Sequence, residues 1–356
     1  IPFPPSEFLF MLTRTRPLLA AALTLFGALA ATVSMSATAA EYKSEYKLSV
    51  VGSRPIPIAE GAYRWAELVT EKTRGRITVK VYPGSSLVGG DNTREFTGLR
   101  QGSIDLLVNS TINLSPTVKE ANLFSLPFLF PDSKAFDAVA QGEPGKALFG
   151  ILESKQVVPL AVGENGFRAL SNSKKPVRAP DDLKGLKVRV VGSPIFNDIF
   201  TALGANPTQM TFADLQPALS TGAVDGQENP VSLFLAAKLY GLNQKHLTLW
   251  NYIADAGLFI ANKEVWESWT PEDRALVREA AAQAAAEFTA LSRQGLTAED
   301  RSALTALAAH GVQVVTTEQT DVEAFRKATR PVYEKWTQTV GADLVRKAEE
   351  AVAKSR

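Results

Sequence analysis

Apolar and polar positions alternate from residue 46 to 51 and the run ends at Gly52-Ser53, which predicts a strand entering a loop. Ala62, Trp65, Ala66 and Val69 then recur at helical spacing between Glu60 and Arg74, one apolar stripe that a sheet has to cover. Gly75 supplies the residue that ends this helix. Ile77, Val79 and Val81 alternate with Thr78 and Lys80 before Pro83-Gly84. Strand, helix and strand in this order predict a βαβ unit and a parallel sheet. Asp91 or Asn92 is placed to cap a helix reaching about Arg100, and a strand is expected over 104–108. Residues 123–130, with three phenylalanines around Pro127, read as a buried loop.

The same rhythm restarts near Val162. It predicts a strand over 186–191, helices over 194–203 and 211–220, and strands over 247–253 and 257–261. Thr270-Pro271-Glu272-Asp273 opens a long helix: threonine caps it, proline sits where no hydrogen bond is lost, and the acids complement the dipole. Leu276, Ala280, Ala284, Phe288 and Leu291 carry one face of it to about 293. A strand over 312–315 and a last helix near 322–340, ending at Gly341, complete the chain. A length of 356 residues allows two cores. Without a repeat or a low-complexity linker, two α/β lobes crossed by several chain segments and hinging together are expected. Their expected bounds are 41–165 with about 255–295, and 166–254 with about 296–345.

Residues 1–10 precede Met11 and read as an upstream extension. Arg14 and Arg16, an apolar run over 18–33 and Ala37-Thr38-Ala39-Ala40 read as a cleavable signal peptide over 11–40, so export to the periplasm is expected. The formal charge of +1 is accounted for by Arg14, Arg16 and Glu7, and the remainder sums to zero, which gives no basis for a nucleic-acid partner. The absence of cysteine excludes disulfides, thiolate nucleophiles and cysteine-bound metals. Only His246 and His310 offer imidazoles, they lie in different blocks, and no G-x-S-x-G elbow accompanies them, so no catalytic residue is assigned. Nor is a metal or cofactor expected: no calcium-type acidic loop is present, and the glycine-rich stretch 83–90 lacks both P-loop and G-x-G-x-x-G spacing.

Two segments stand out. Arg189 lies between Val188 and Val190 on a strand that reads as buried, where a guanidinium needs an anion or carbonyl partner; an internal salt bridge would serve as well as a ligand. The run 223–230, Ala-Val-Asp-Gly-Gln-Glu-Asn-Pro, is dense in hydrogen-bonding groups, as a polar turn alone would also be. These segments, with Gly166-Phe167-Arg168, Asp182-Leu183-Lys184-Gly185 and Leu203-Gly204-Ala205-Asn206-Pro207, resemble the DctP-type binding proteins of tripartite ATP-independent periplasmic (TRAP) transporters. Val81-Tyr82-Pro83 and Leu126-Pro127-Phe128 extend the likeness through the first half.

The resemblance implies a two-lobed, class II-like periplasmic-binding-protein fold with a hinge of shared strands and a long helix. It implies that Arg189 clamps a ligand carboxylate, that Arg168 makes a second contact and that Asn229 donates an amide to the same group. Phe212 would floor the pocket, Tyr252 and Asn251 would add polar contacts from the hinge side, and Glu228 would belong to a buried network. The first lobe would contribute from Ser53, Asn109, Ser110 and Asn113. Gly192, Ser110 and Asn113 differ from the sialic-acid-binding members, so a smaller acid is expected: a C4-dicarboxylate, a 2-oxo or 2-hydroxy acid, an aromatic acid or a sugar acid. TRAP membrane permease subunits are the implied partners of a monomer. A ligand-sensing module for a signalling receptor and an enzyme of unrecognised type are the competing readings.

Overall fold

The computed structural model describes residues 42–356; the expected upstream extension and signal peptide lie outside the described residues. Ten strands are found among them: β1 (Tyr46–Val50), β2 (Val79–Tyr82), β3 (Leu106–Ser110), β4 (Val157–Asn172), β5 (Lys187–Val190), β6 (Asn206–Gln209), β7 (Gly226–Pro230), β8 (His246–Thr248), β9 (Ala254–Asn262) and β10 (Gln313–Val315). They form one sheet in the order β2-β1-β3-β9-β4-β7-β5-β6, with β8 on β4 and β10 on β8. The expected βαβ unit is present, β1 pairing in parallel with both β2 and β3. The sheet as a whole is mixed rather than parallel, because β9 runs antiparallel to β3 and β4, and β4 antiparallel to β7.

The boundary expected at 165/166 falls inside β4, an unbroken strand of 16 residues. Its first part pairs with β9 as far as Phe167, and its last part, from Arg168, pairs with β7 and β8. One strand thus ties both ends of the sheet together. Period-two alternation assigns its two faces. Leu48, Leu106, Phe259 and Ala261 pack on one side with the helices Pro57–Lys72 and Pro271–Arg293, while Leu107, Leu258, Ile260 and Val188 pack on the other with Pro194–Ala202 and Val322–Val340. Each apolar layer therefore runs the length of the sheet. Gly163 and Gly257, paired across β4 and β9, leave room for Phe288 of the long helix: a Cβ at either position would lie 2.8 or 2.7 Å from its ring.

Helix ends follow local chemistry. Thr270 accepts from the Asp273 amide and Thr211 from the Asp214 amide, so both capped helices start where their sequences predict. Elsewhere the expectations need correction. The helix assigned to Asp91 or Asn92 begins only at Glu95, because the Asp91 carboxylate accepts from Thr93 instead and Asn92 is drawn inward. The strand expected over 247–253 is paired only as far as Thr248, and the left-handed Asn251 (φ 48) turns the chain before β9. Gly341 (φ 107) does not end the fold but joins two helices, and the second, Ala342–Ser355, packs on Ser133–Ala140 and Glu143–Glu153. No helix among the described residues is long and apolar enough to cross a membrane.

Candidate ligand-binding site

Arg168 and Glu228 occupy neighbouring strands in diagonal register, since Arg168 faces Pro230 and Leu170 faces Glu228 across β4 and β7. The Arg168 guanidinium donates through Nε and Nη2 to the Glu228 carboxylate, through Nη1 to Asp255 Oδ2 at 2.7 Å, and again through Nη2 to Asn229 Oδ1 at 3.1 Å. Tyr252 donates its hydroxyl to Glu228 Oε2 at 2.5 Å, and Ser110 donates to Asp255 Oδ1 at 2.5 Å. Burial works against the charge on Arg168, but Glu228 and Asp255 outweigh it and its pKa is raised. Burial, with Glu228 next, pushes the Tyr252 phenol well above its ordinary range. Within this cluster the Arg168 charge is answered by the protein's own acids.

Arg189 differs. It projects from β5, paired in parallel with Gln227 of β7, and is 1% exposed. Its Nε and Nη2 both donate to the Met210 carbonyl, at 3.1 and 2.8 Å, which fixes the plane of the fork. Nη1 has no partner among the described residues, and no carboxylate lies within ion-pair distance. Burial lowers its pKa to about 10, so it stays charged at neutral pH. A guanidinium held in the interior with an unanswered N–H has the donor geometry that a planar anion matches.

Arg189 lines a cavity with roughly 440 Å³ of atom-free space. Arg168, Arg189, Asn229, Ser110 and Phe212 line it, with Asn113 beside Ser110. Val51, Ile56, Ile58, Ile112 and Leu233 add an apolar wall. Hydrogen bonds close it across the two flanks: the Phe212 amide donates to Asn92 Oδ1 at 3.3 Å, and the hydroxyls of Ser115 and Ser193 lie 2.7 Å apart.

Other residues assigned to the site lie elsewhere. Ser53 is exposed on an outer groove. Asn251 turns its amide to the Pro131 carbonyl, on a groove away from Arg189, because its left-handed backbone points it there. Asn109 stands behind the wall, donating to Glu95 Oε2 at 2.8 Å and accepting from Asn113 at 2.6 Å. Tyr252 and Glu228 do not reach the cavity; they form the buried network around Arg168. Asn92, Asn165 and Asp255, which sequence reasoning missed, do line it. The signal for Asp255 was available, since it is a lone acid within the apolar run 252–261, the same pattern that singled out Arg189.

The cavity thus lies between the two ends of a shared sheet, with Arg189 in its lining and no acid within ion-pair distance of that residue among the described residues. The chain belongs to the DctP family, described as "Bacterial extracellular solute-binding protein, family 7", which it matches over residues 48–339; this is a family of binding proteins. It is 34% identical to the C4-dicarboxylate-binding periplasmic protein DctP of Rhodobacter capsulatus over 92% of this chain and 97% of that one. It is 57% identical, with a TM-score of 0.86, to a TRAP periplasmic solute-binding protein from Ralstonia eutropha H16 solved with bound (S)-2-acetolactate, covering 88% of this chain and all of that one. A sugar-acid-binding protein from Advenella mimigardefordensis, solved with galactonate, is 31% identical with a TM-score of 0.81, over 88% and 98% of the two chains.

Proposed function

We propose that this protein is the periplasmic solute-binding subunit of a TRAP transporter, that it holds one small organic carboxylate against Arg189, and that it hands this acid to the membrane permease subunits. The reading is carried by one observation: Arg189 lines the cavity, and its buried Nη1 has no partner among the described residues. Closure removes water from the guanidinium-carboxylate pair and strengthens it, and the closed form presents the permease with a surface that the open form lacks. The protein acts as a monomer, delivered to the periplasm by its signal peptide. Its lobes are 41–165 with about 255–295, and 166–254 with about 296–345, hinged where β4 exchanges β9 for β7.

Charge and size narrow the ligand. Arg168 is already matched by two acids, so a single ligand carboxylate uses Arg189, the one unpaired cation that lines the cavity among the described residues, and a second carboxylate would be desolvated without a counter-charge. The likeness to a protein that holds (S)-2-acetolactate supports a compact, branched acid of this kind. A thermal-shift screen of the mature protein against organic acids tests the reading. At a hundredfold excess over Kd, the cognate acid adds about 2.7 kcal/mol of stability to the wild type and almost none to Arg189→Ala. An undiminished shift in the variant would move the carboxylate elsewhere.

A further inference from the structure

Asn165 is the extra residue of a β-bulge. In β4, Glu164 pairs with Ala256 and Gly166 with Asp255, leaving Asn165 opposite no residue of β9. Bulges re-aim side chains, and this one turns an amide that is 4% exposed into the wall of the cavity. Gly166 makes the turn possible: its φ is +114, and a Cβ there would lie 3.2 Å from Pro230 Cβ.

The orientation of the amide is fixed by its neighbour. Asn165 Nδ2 donates to Asp255 Oδ2 at 2.9 Å, an oxygen that also accepts from Arg168. Flipping the amide would set its oxygen against a carboxylate, which has no proton to give. Asn165 Oδ1 is therefore held away from Asp255, on a residue that lines the cavity, and it has no partner among the described residues. A buried carbonyl left without a donor costs binding whenever the ligand cannot supply one.

We propose that Asn165 Oδ1 accepts a hydrogen bond from a hydroxyl carried by the bound acid, so that the site selects compact hydroxy acids over their 2-oxo and deoxy counterparts. This rests on the reading that Arg189 holds the ligand carboxylate. The two groups line one small cavity, so the hydroxyl sits close to the carboxylate along the ligand, with the branched remainder against Ile56, Ile58 and Leu233. The ketone oxygen of an oxo acid and the methylene of a deoxy acid both fail to donate, and a ketone adds lone-pair repulsion.

The test is titration calorimetry of the wild type, Asn165→Leu and Arg189→Met with matched branched monocarboxylates of four to six carbons, each as hydroxy, 2-oxo and deoxy acid. In the wild type the hydroxy acid binds about ten- to a hundredfold more tightly than either counterpart. In Asn165→Leu this preference shrinks to within about threefold, with deoxy-acid affinity little changed. Should that variant not melt cooperatively, the wild-type preference alone decides. Equal wild-type affinities for the three forms, all lost in Arg189→Met, would overturn the hydroxyl assignment and leave the carboxylate assignment standing. No heat from any acid in the wild type would overturn both.

Discussion

Two regions of this interior hold buried charge in opposite ways. Around β4, Arg168 is ringed by Glu228, Asp255, Asn229 and the Glu228 carbonyl, and its pKa is raised. Among the described residues, Arg189 in the cavity lining has a backbone carbonyl and no acid within ion-pair distance, while Glu95, behind that lining, has the hydroxyl of Ser49, the amide of Asn109 and no base. Burial lowers the pKa of the first to about 10 and raises that of the second to about 7. The difference separates a charge answered inside the fold from one that the proposed reading leaves to a ligand. Glu95 can relieve its isolation by taking a proton. Arg189 keeps its charge at any pH the protein meets, and in the reading proposed above an incoming anion answers it.

The strongest way to break this comparison is to truncate each arginine in turn. Arg168→Ala strands two buried carboxylates and is expected to cost about 3–5 kcal/mol in urea unfolding. Arg189→Ala removes a charge with no acidic partner and leaves ligand-free stability within about 1 kcal/mol of the wild type. Equal losses in the two variants would show that Arg189 is a structural charge after all.

Acid titration probes the carboxyl side of the same contrast. Because burial raises the folded-state pKa of Glu95 from 4.5 to about 7, the folded form keeps a proton that the unfolded chain releases between those values. Its contribution therefore lowers stability as pH rises from about 4.5 to 7, by about 3 kcal/mol in total, and is level above that. Glu95→Gln removes this dependence, so the wild type should lose stability relative to the variant across that window. Parallel pH profiles of the two proteins would show that Glu95 is ionised throughout.

How much of this was legible in the sequence follows from the reach of each signal. Thr270-Pro271-Glu272-Asp273 and the alternation of β1 act over a few residues, and both elements formed as their patterns predict. The Arg189 strand carried its own message, a charge among valines. Pairing did not: whether Arg168 was bound by the protein or open to a ligand depended on Glu228 and Asp255, 60 and 87 residues away. Asn251 and Ser53 were misplaced for a related reason, because a left-handed backbone or an outward-facing loop redirects a side chain without changing the residue type. Asn165 was hidden by the bulge, a one-residue shift that exists only relative to β9.

The fork itself can be sharpened by substitution at constant charge. Arg189→Lys keeps the cation but loses the planar donor set that Met210 orients and that matches a carboxylate. Ligand affinity should fall about ten- to a hundredfold with little change in unfolding, as expected when about 1.5–3 kcal/mol of charge-assisted hydrogen bonding is lost. Wild-type affinity in the lysine variant would mean that simple charge attraction, rather than geometry, holds the ligand.

The smallest expected effect lies just past β5, where the Arg189 region meets the opposite flank. A Cβ at Gly192 would stand 2.9 Å from Thr93 Cγ2, closer than real side chains tolerate, although its backbone conformation suits any residue. Gly192→Ala should therefore burden only the closed form, in which these flanks touch, and leave the open form unchanged. A cost of about 1 kcal/mol, or roughly fivefold in affinity, is expected, with ligand-free melting unaltered. Thr93→Ser deletes the offending methyl while keeping the hydroxyl that donates to Asp91 at 2.7 Å, so the double variant should regain wild-type affinity. Recovery of that kind would tie ligand affinity to closure across Arg189, whereas an unrescued loss would place the alanine's effect within β5 itself.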